Sequence, residues 1–339
     1  MVSQVSIVIP IYNNSATLGE TLDSLLAQTN KAWTCILVDD GSTDSSIEVA
    51  TNYCQKDDRF KLLKREEVDP KLPKGANSCR NIGLERASTP FVIFLDADDL
   101  LLADSLRDRL NAFEKHPEYD ALVFSFRTLS EVGVAESISN YDPDHESELE
   151  YLKAFLSYRI PWQTSCPIWK REFILSQGGF DLNFRRFQDV EFHSRMLLNG
   201  AKVKRVHQDD LRYRINTKES KYQRSDFLKV ITEAINAYLL KFGKAQVDGI
   251  MSRTERLPYL RKMSLRLIDT FLLPQGEWEL IQQTVQTSKR SGIFSASQAR
   301  ATKIYCWMQR TKKYKQKGFG MYRLYSWSRS VSGLKTEVS

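Results

Sequence analysis

FVIFLDADDLL, residues 91–101, runs an apolar stretch straight into Asp96, Asp98 and Asp99. Such a run is the pattern of a strand buried on both faces, and the carboxylates stand where that strand ends. Either they make a solvated turn, or their charge is there to hold something positive. Working outward, the same sequence of apolar run and polar stop occurs twice more. VSIVIPI (5–11) runs into Tyr12 and Asn13, and TCILVDD (34–40) ends in Asp39-Asp40-Gly41-Ser42. Helical patterns separate these strands: Leu18, Leu22, Leu25 and Leu26 share one face, and DSSIEVATNYC (44–54) and NSCRNIGLERA (77–87) follow. RFKLLKR (59–65) and DALVFSF (120–126) read as further strands, and DSLRDRLNAFEKH (104–116) as a helix. This alternation predicts an α/β fold, a Rossmann-like and mostly parallel sheet flanked by helices.

Beyond residue 126 the pattern loosens. Residues 127–147 are acidic and predict a loop, PWQTSCPIWK (161–170) is rich in turn residues, and helices are expected near 148–158 and 189–199. From about residue 217 the chain reads as mainly helical, as in LKVITEAINAYLLKF (228–242) and LRKMSLRLIDTFLL (260–273). The expected organisation is a sheet-bearing domain over 1–216 and a helical C-terminal region over 217–339.

Hydrophobic content of 42% with 27% charged residues is that of a chain that buries a real core. The five cysteines show no CxxC pair or framework spacing, which points to reduced thiols and no structural zinc. MVSQVSIVIPIYNN lacks a basic start and is broken by Pro10, a poor signal peptide, so a cytoplasmic location is expected. Net charge is +7 and uneven: Arg300 to Lys335 holds ten Lys or Arg and no acid, interleaved with aromatic rings from Tyr305 to Trp327. That segment reads either as a solvated tail or as a peripheral contact with an anionic membrane on its inner face. No nucleic-acid motif accompanies it, and no nucleic-acid partner is expected.

In an open parallel sheet, ligands bind beyond the carboxyl ends of the strands. Here those ends carry polar groups on three strands at once. A turn or a helix cap explains each group alone; their coincidence at equivalent ends favours a site. No GxGxxG follows the first strand and no GxxxxGK[ST] occurs, so the phosphate-cradling glycine motifs are absent. A rim of carboxylates would hold a nucleoside diphosphate only through a bridging cation, and Mn2+ or Mg2+ suits such oxygen ligands.

VSIVIPIYNN, ILVDDGSTD, RNIG (80–83), FLDADD and QDVEF (188–192) occur in this order. Together, over roughly residues 3–215, they resemble the family 2 glycosyltransferases. The resemblance implies a GT-A fold and a metal-dependent, inverting transfer. The donor would be a nucleotide sugar, UDP-linked, and the acceptor a glycan or lipid-linked glycan in cell-surface polysaccharide synthesis. It implies that Pro10, Tyr12 and Asn13 border the nucleoside and that Asp40 accepts a hydrogen bond from the base. Arg80 would lie near base or diphosphate, Asp96 would face ribose and metal with Ala97 beside it, and Asp98 would ligate the metal. Asp99 would orient that shell, Arg214 would meet the diphosphate, and Asp189 would be the catalytic base. Two positions depart from the family: Gln188 stands where a Glu usually precedes the base, and Tyr213-Arg214-Ile215-Asn216 replaces Tyr-Arg-x-His. Trp162 and Trp169 read either as acceptor-side stacking platforms or as core, and His193 and His207 as structural. Two rival readings are a nucleotidyltransferase, for which PIYNNSATLGE lacks the Gly-rich basic loop, and a non-catalytic sugar-nucleotide or glycan-binding module.

Overall fold

The computed structural model describes residues 4–130, 133–137, 146–215, 225–244, 249–311 and 319–334. Two compact units divide the chain: Met1–Tyr151 with Ile160–Glu219, and Leu152–Arg159 with Ser220–Ser339. The expected boundary at 216–217 lies outside the described residues.

The first unit is built on one sheet. Its strands are β1 Val5–Ile11, β2 Trp33–Asp39, β3 Phe60–Lys64, β4 Phe91–Phe94, β5 Leu100–Leu101, β6 Ala121–Ser130, β7 Gly133–Ser137, β8 Pro167–Lys170 and β9 Val203–Arg214, in spatial order β3-β2-β1-β4-β8-β6-β9-β5, with β7 beside β6. The β3-β2-β1-β4 half is parallel throughout, as the continuous β-branched runs predict. Connecting helices are α1 Leu18–Leu26, α2 Ser46–Lys56, α3 Arg65–Val68, α4 Ala76–Arg86 and α5 Ser105–Lys115, followed by α6 Glu148–Leu156, α7 Arg171–Ser176 and α8 Gln188–Leu198; of α6, the residues from Leu152 onward belong to the second unit.

Register explains why the polar groups converge. Ile11 of β1 lies opposite Asp39 of β2, and Val8 opposite Phe94 of β4, so Tyr12, Asp40 and Asp96 leave three adjoining strands at one rim. The chain winds outward from β1 to β2 and β3, then returns to β4. That reversal makes the β1–β4 boundary a switch point, where a crevice opens in such sheets.

Beyond β4 the sheet is mixed, and here the sequence reading is corrected. The turn-rich segment ends in β8, an interior strand antiparallel to both β4 and β6. Running backwards, β8 brings residues 161–166 to the same rim. Within the expected 127–147 loop, β6 continues to Ser130 and pairs with β7; residues 138–145 lie outside the described residues. β9 carries too many charges to resemble a buried strand, and register shifts against β6 break its alternation. Its carboxyl end delivers Tyr213 and Arg214 to the rim, and β5 pairs with it antiparallel, tethering the far end of the DADD loop.

Described residues of the second unit form α9 Ser225–Lys244, α10 Arg253–Arg266, a π-helical stretch Leu267–Leu272, α11 Leu273–Gln275, α12 Trp278–Arg290, α13 Ala296–Thr311 and α14 Phe319–Ser332. The expected helical character is present. Ser252 starts α10 with a capping box, accepting from the Glu255 backbone while the Glu255 carboxylate takes the Ser252 N–H. Among the described residues no helix is long and apolar enough to cross a membrane.

One glycine fixes how α4 meets the sheet. A Cβ at Gly83 would overlap Val8 Cγ1 in the middle of β1. Gly83→Ala is expected to destabilise the first unit by about 1–3 kcal/mol, because a packed strand has nowhere to move. Thermal unfolding followed by circular dichroism would show this as a lower melting temperature; an unchanged one would mean that α4 shifts freely.

Candidate active site

Two cavities flank the rim. The first, about 230 Å³, is lined by Pro10, Tyr12, Asp40, Arg80, Asp96, Ala97 and Asp98, together with Asn14, Ala76 and Gln188. Of the residues given a role from sequence, all but Asn13, Asp99, Arg214 and Asp189 line this cavity. Asn13 sits just outside, in a left-handed conformation at φ 53°, where its side-chain oxygen accepts the Thr43 N–H at 2.8 Å. Asparagine tolerates that backbone better than most residues, so Asn13 braces the turn after β2.

Each carboxylate on this side has a different partner. Asp40 is buried and receives Arg65 Nε at 2.6 Å. Asp96 Oδ1 receives Arg80 Nη2 at 2.6 Å. Arg80 is 3% exposed, stacks its cation 5.3 Å from the centre of the Phe180 ring, and has no hydrogen-bond partner at Nε or Nη1. A buried guanidinium in that state supplies fixed positive charge to the rim. Asp99 is fully buried and accepts from Ser165 Oγ at 2.6 Å and from the Arg214 N–H at 3.1 Å. Burial, reinforced by the nearby Asp96 charge, pushes its pKa well above the usual carboxylate range. Arg214 donates to the Asp98 carbonyl at 3.0 Å and to Glu20 at 2.5 Å, so it supports the loop from outside the first cavity. Asn216 lies outside the described residues.

The donor set can be tested against a divalent cation. Asp96 keeps one oxygen beyond its Arg80 contact and Asp98 adds a second carboxylate, while the described residues hold no cluster of three or more His, Cys, Asp or Glu suited to a metal. Two carboxylates are too few for a closed protein cage. They do fit Mg2+ or Mn2+, which keep waters and take ligand phosphate oxygens.

The second cavity, about 200 Å³, is lined by Phe126, Thr128, Ile160, Trp162, Gln163, Asp189, Tyr213 and Ile215. Asp189 and Gln188 are neighbours at the start of α8, yet they open into different cavities. The turn before them is strained: Phe187 has φ 61°, an uncommon state for a bulky residue. Asp189 does not cap the helix from outside; it lies within the first turn, and its carboxylate takes the adjacent Val190 N–H at 2.8 Å. Burial raises its pKa, an effect opposed by that hydrogen bond and by the Arg80 charge. Trp162 lines this cavity, whereas Trp169 is core, stacked between Phe173 and His193. Burial lowers the His193 pKa to about 3, which keeps the ring neutral. Sequence reasoning missed Arg65, Gln163 and Ser165, and did not give Tyr213 a place in the site.

Residues 6–170 match the family described as Glycosyl transferase family 2. An uncharacterized glycosyltransferase of Haemophilus influenzae is 41% identical over 107 residues, covering 32% of this chain and 41% of that protein; the match therefore spans less than half of that relative. The amylovoran biosynthesis glycosyltransferase AmsB of Erwinia amylovora is 29% identical over 76% of this chain and 84% of its own length. In fold, the chain matches the crystal structure of S. aureus TarS 1–349 in complex with UDP, with a TM-score of 0.62 at 17% identity, over 97% of this chain and 90% of that one. A mannosyltransferase from Pyrobaculum calidifontis, in complex with GDP-Man and Mn2+, matches with a TM-score of 0.51 at 14% identity, over 98% of this chain and 87% of that one. The fold is GT-A.

Proposed function

This chain belongs to glycosyltransferase family 2, and on that premise we propose that residues 1–216 perform a metal-dependent, inverting transfer. The sugar comes from a nucleotide sugar, UDP-linked, and goes to a glycan or lipid-linked glycan in cell-surface polysaccharide synthesis. One observation carries the reading: neighbours at the α8 N-terminus line two different cavities, Gln188 with Asp96 and Asp98 in the first and Asp189 in the second. Donor and acceptor then approach from opposite sides of one helix end. The UDP complex of TarS supports the choice of nucleotide, and the Mn2+ complex of the mannosyltransferase supports a divalent cation, which Asp96 and Asp98 would hold.

In this reading Pro10, Tyr12 and Asp40 border the nucleoside, Arg80 fixes Asp96, and Ala97 keeps the loop narrow beside the donor. When bound, the cation neutralises charge growing on the leaving diphosphate. Asp189 takes the proton of the attacking acceptor hydroxyl. Its raised pKa makes it a stronger base than an exposed aspartate, as that role requires.

UDP is expected to bind by calorimetry only with Mn2+ or Mg2+, and Asp98→Ala to abolish the cation-dependent part. Equal binding in excess chelator would remove the cation from the scheme.

Asp189→Asn is expected to leave UDP affinity unchanged while cutting transfer by roughly 10²-fold or more. The base acts deprotonated, so wild-type transfer should fall as pH drops through its raised pKa. The acid limb should therefore lie above the usual aspartate value of about 4. A limb at or below that value in a pH–rate profile would assign the proton to another group.

The basic-aromatic segment supports a peripheral contact with the inner face of a membrane. Arg300, Lys303 and Trp307 share an exposed stripe of α13, and Arg323 and Trp327 one of α14; each tryptophan follows a cation by four residues and is more than 40% exposed. Tyr305 instead is buried and stacks on Tyr325. Residues 312–318, with four lysines and Tyr314, lie outside the described residues, as do the Phe319 and Tyr322 side chains. Each cation near an anionic surface contributes about 1 kcal/mol, so vesicles containing anionic lipid should bind the protein and lose it as salt rises. Trp307→Ala with Trp327→Ala should weaken sedimentation with such vesicles. Binding indifferent to salt, or none, would return the stripes to solvent.

A further inference from the structure

The loop that carries Asp96 and Asp98 is short, and its backbone is gripped at several points. The Ala97 carbonyl accepts from Thr17 Oγ1 at 3.1 Å, and the Asp98 carbonyl from Arg214 Nε at 3.0 Å. Ser165 does something different. Of the described side chains, it is the one that bonds both the first and the last aspartate of the loop. Its hydroxyl accepts the Asp96 backbone N–H at 3.2 Å and donates to Asp99 Oδ2 at 2.6 Å.

Ser165 has no exposed surface. A hydroxyl offers one donor and two acceptor positions, so a single serine can serve both partners; alanine can serve neither. The serine is itself held from behind. Its carbonyl accepts from Arg109 Nη1 and Nη2 at 3.4 and 3.3 Å. Arg109, fully buried, forms a two-pronged pair with Asp210 of β9 at 2.7 and 2.9 Å. A buried bidentate ion pair has little freedom to move, so Ser165 meets the loop as a fixed point.

We infer that Ser165 is a positioning residue of the donor site. Its hydroxyl sets the spacing of Asp96 and Asp98, and thereby the hold on a cation, without touching donor or cation. This rests on reading those two aspartates as the site of a cation-bound diphosphate. Small divalent cations such as Mg2+ demand near-ideal geometry, so a loosened pair of carboxylates loses affinity although both remain. Removing an outer hydrogen-bond partner of a metal ligand typically costs 10–100-fold in metal affinity.

The test is a Mn2+ titration at fixed UDP by calorimetry, alongside uridine binding without metal. For Ser165→Ala, the Mn2+ needed for half-maximal UDP binding should rise roughly tenfold or more, with uridine affinity within about twofold of wild type. Ser165→Thr, which keeps the hydroxyl, should recover much of the loss. Should the alanine variant fail to fold, Ser165→Cys, similar in volume but a weak hydrogen-bonding group, is measured in its place. An unchanged Mn2+ requirement overturns the inference, and so does a parallel fall in uridine affinity, which a merely structural role would produce. If wild-type UDP binding ignores Mn2+, the cation reading falls and the inference falls with it.

Discussion

Asp40, Asp96, Asp98, Asp99 and Asp189 stand around one end of a single sheet. Two like charges about 4 Å apart repel by about 4 kcal/mol at the effective dielectric near a protein surface. The rest of the first unit is arranged to bear that crowding. Asp40 meets Arg65, Asp96 meets Arg80, and Asp99 withdraws from water to accept two hydrogen bonds. Asp98 borders the first cavity, beside an Asp96 oxygen not taken by Arg80. In the proposed scheme, this cavity is where a cation and a diphosphate would enter.

Arg80 is central because it serves both cavities. It contacts Asp96 directly, and its charge also opposes the rise in the Asp189 pKa. Its burial against Phe180 keeps that charge in place. The RNIG motif around it can now be read residue by residue. Arg80 meets Asp96; Asn81 exchanges hydrogen bonds with the backbone of Phe180; Ile82 fills the core; Gly83 lets α4 touch Val8. Four different constraints act on four consecutive positions, which is why the motif carried so much information.

The half of the sheet that was legible in sequence is the half whose strands are buried on both faces. VSIVIPI, TCILVDD and FVIF announce themselves because most of their positions are buried and apolar, and their polar ends then reveal the rim. β8 was hidden because four residues give no period and its approach, Pro161 to Cys166, carries turn residues. Those same polar residues include Ser165, whose hydroxyl clamps the DADD loop. β9 was hidden by its charges, one of which, Asp210, is consumed by a buried pair with Arg109. In both cases the polar residues that obscured the strand hold the DADD loop or its support. Arg65 was assigned to a strand end, and nothing local signals its reach to Asp40 across 25 positions.

The departure at Gln188 also has a physical reading. This side chain lines the first cavity alongside Asp96 and Asp98, while Asp189 lines the second. A glutamate there would add another negative charge where carboxylates are already dense and Arg80 is the buried cation at hand. Each additional anion near Asp189 would raise its pKa further, as Asp96 already does. A base pushed too high is protonated at working pH and ceases to act. Glutamine keeps a side chain of the same length, with an amide that can both donate and accept, and leaves the charge balance to Arg80. The neutral residue therefore limits the field on Asp189 while leaving hydrogen-bonding capacity in the first cavity.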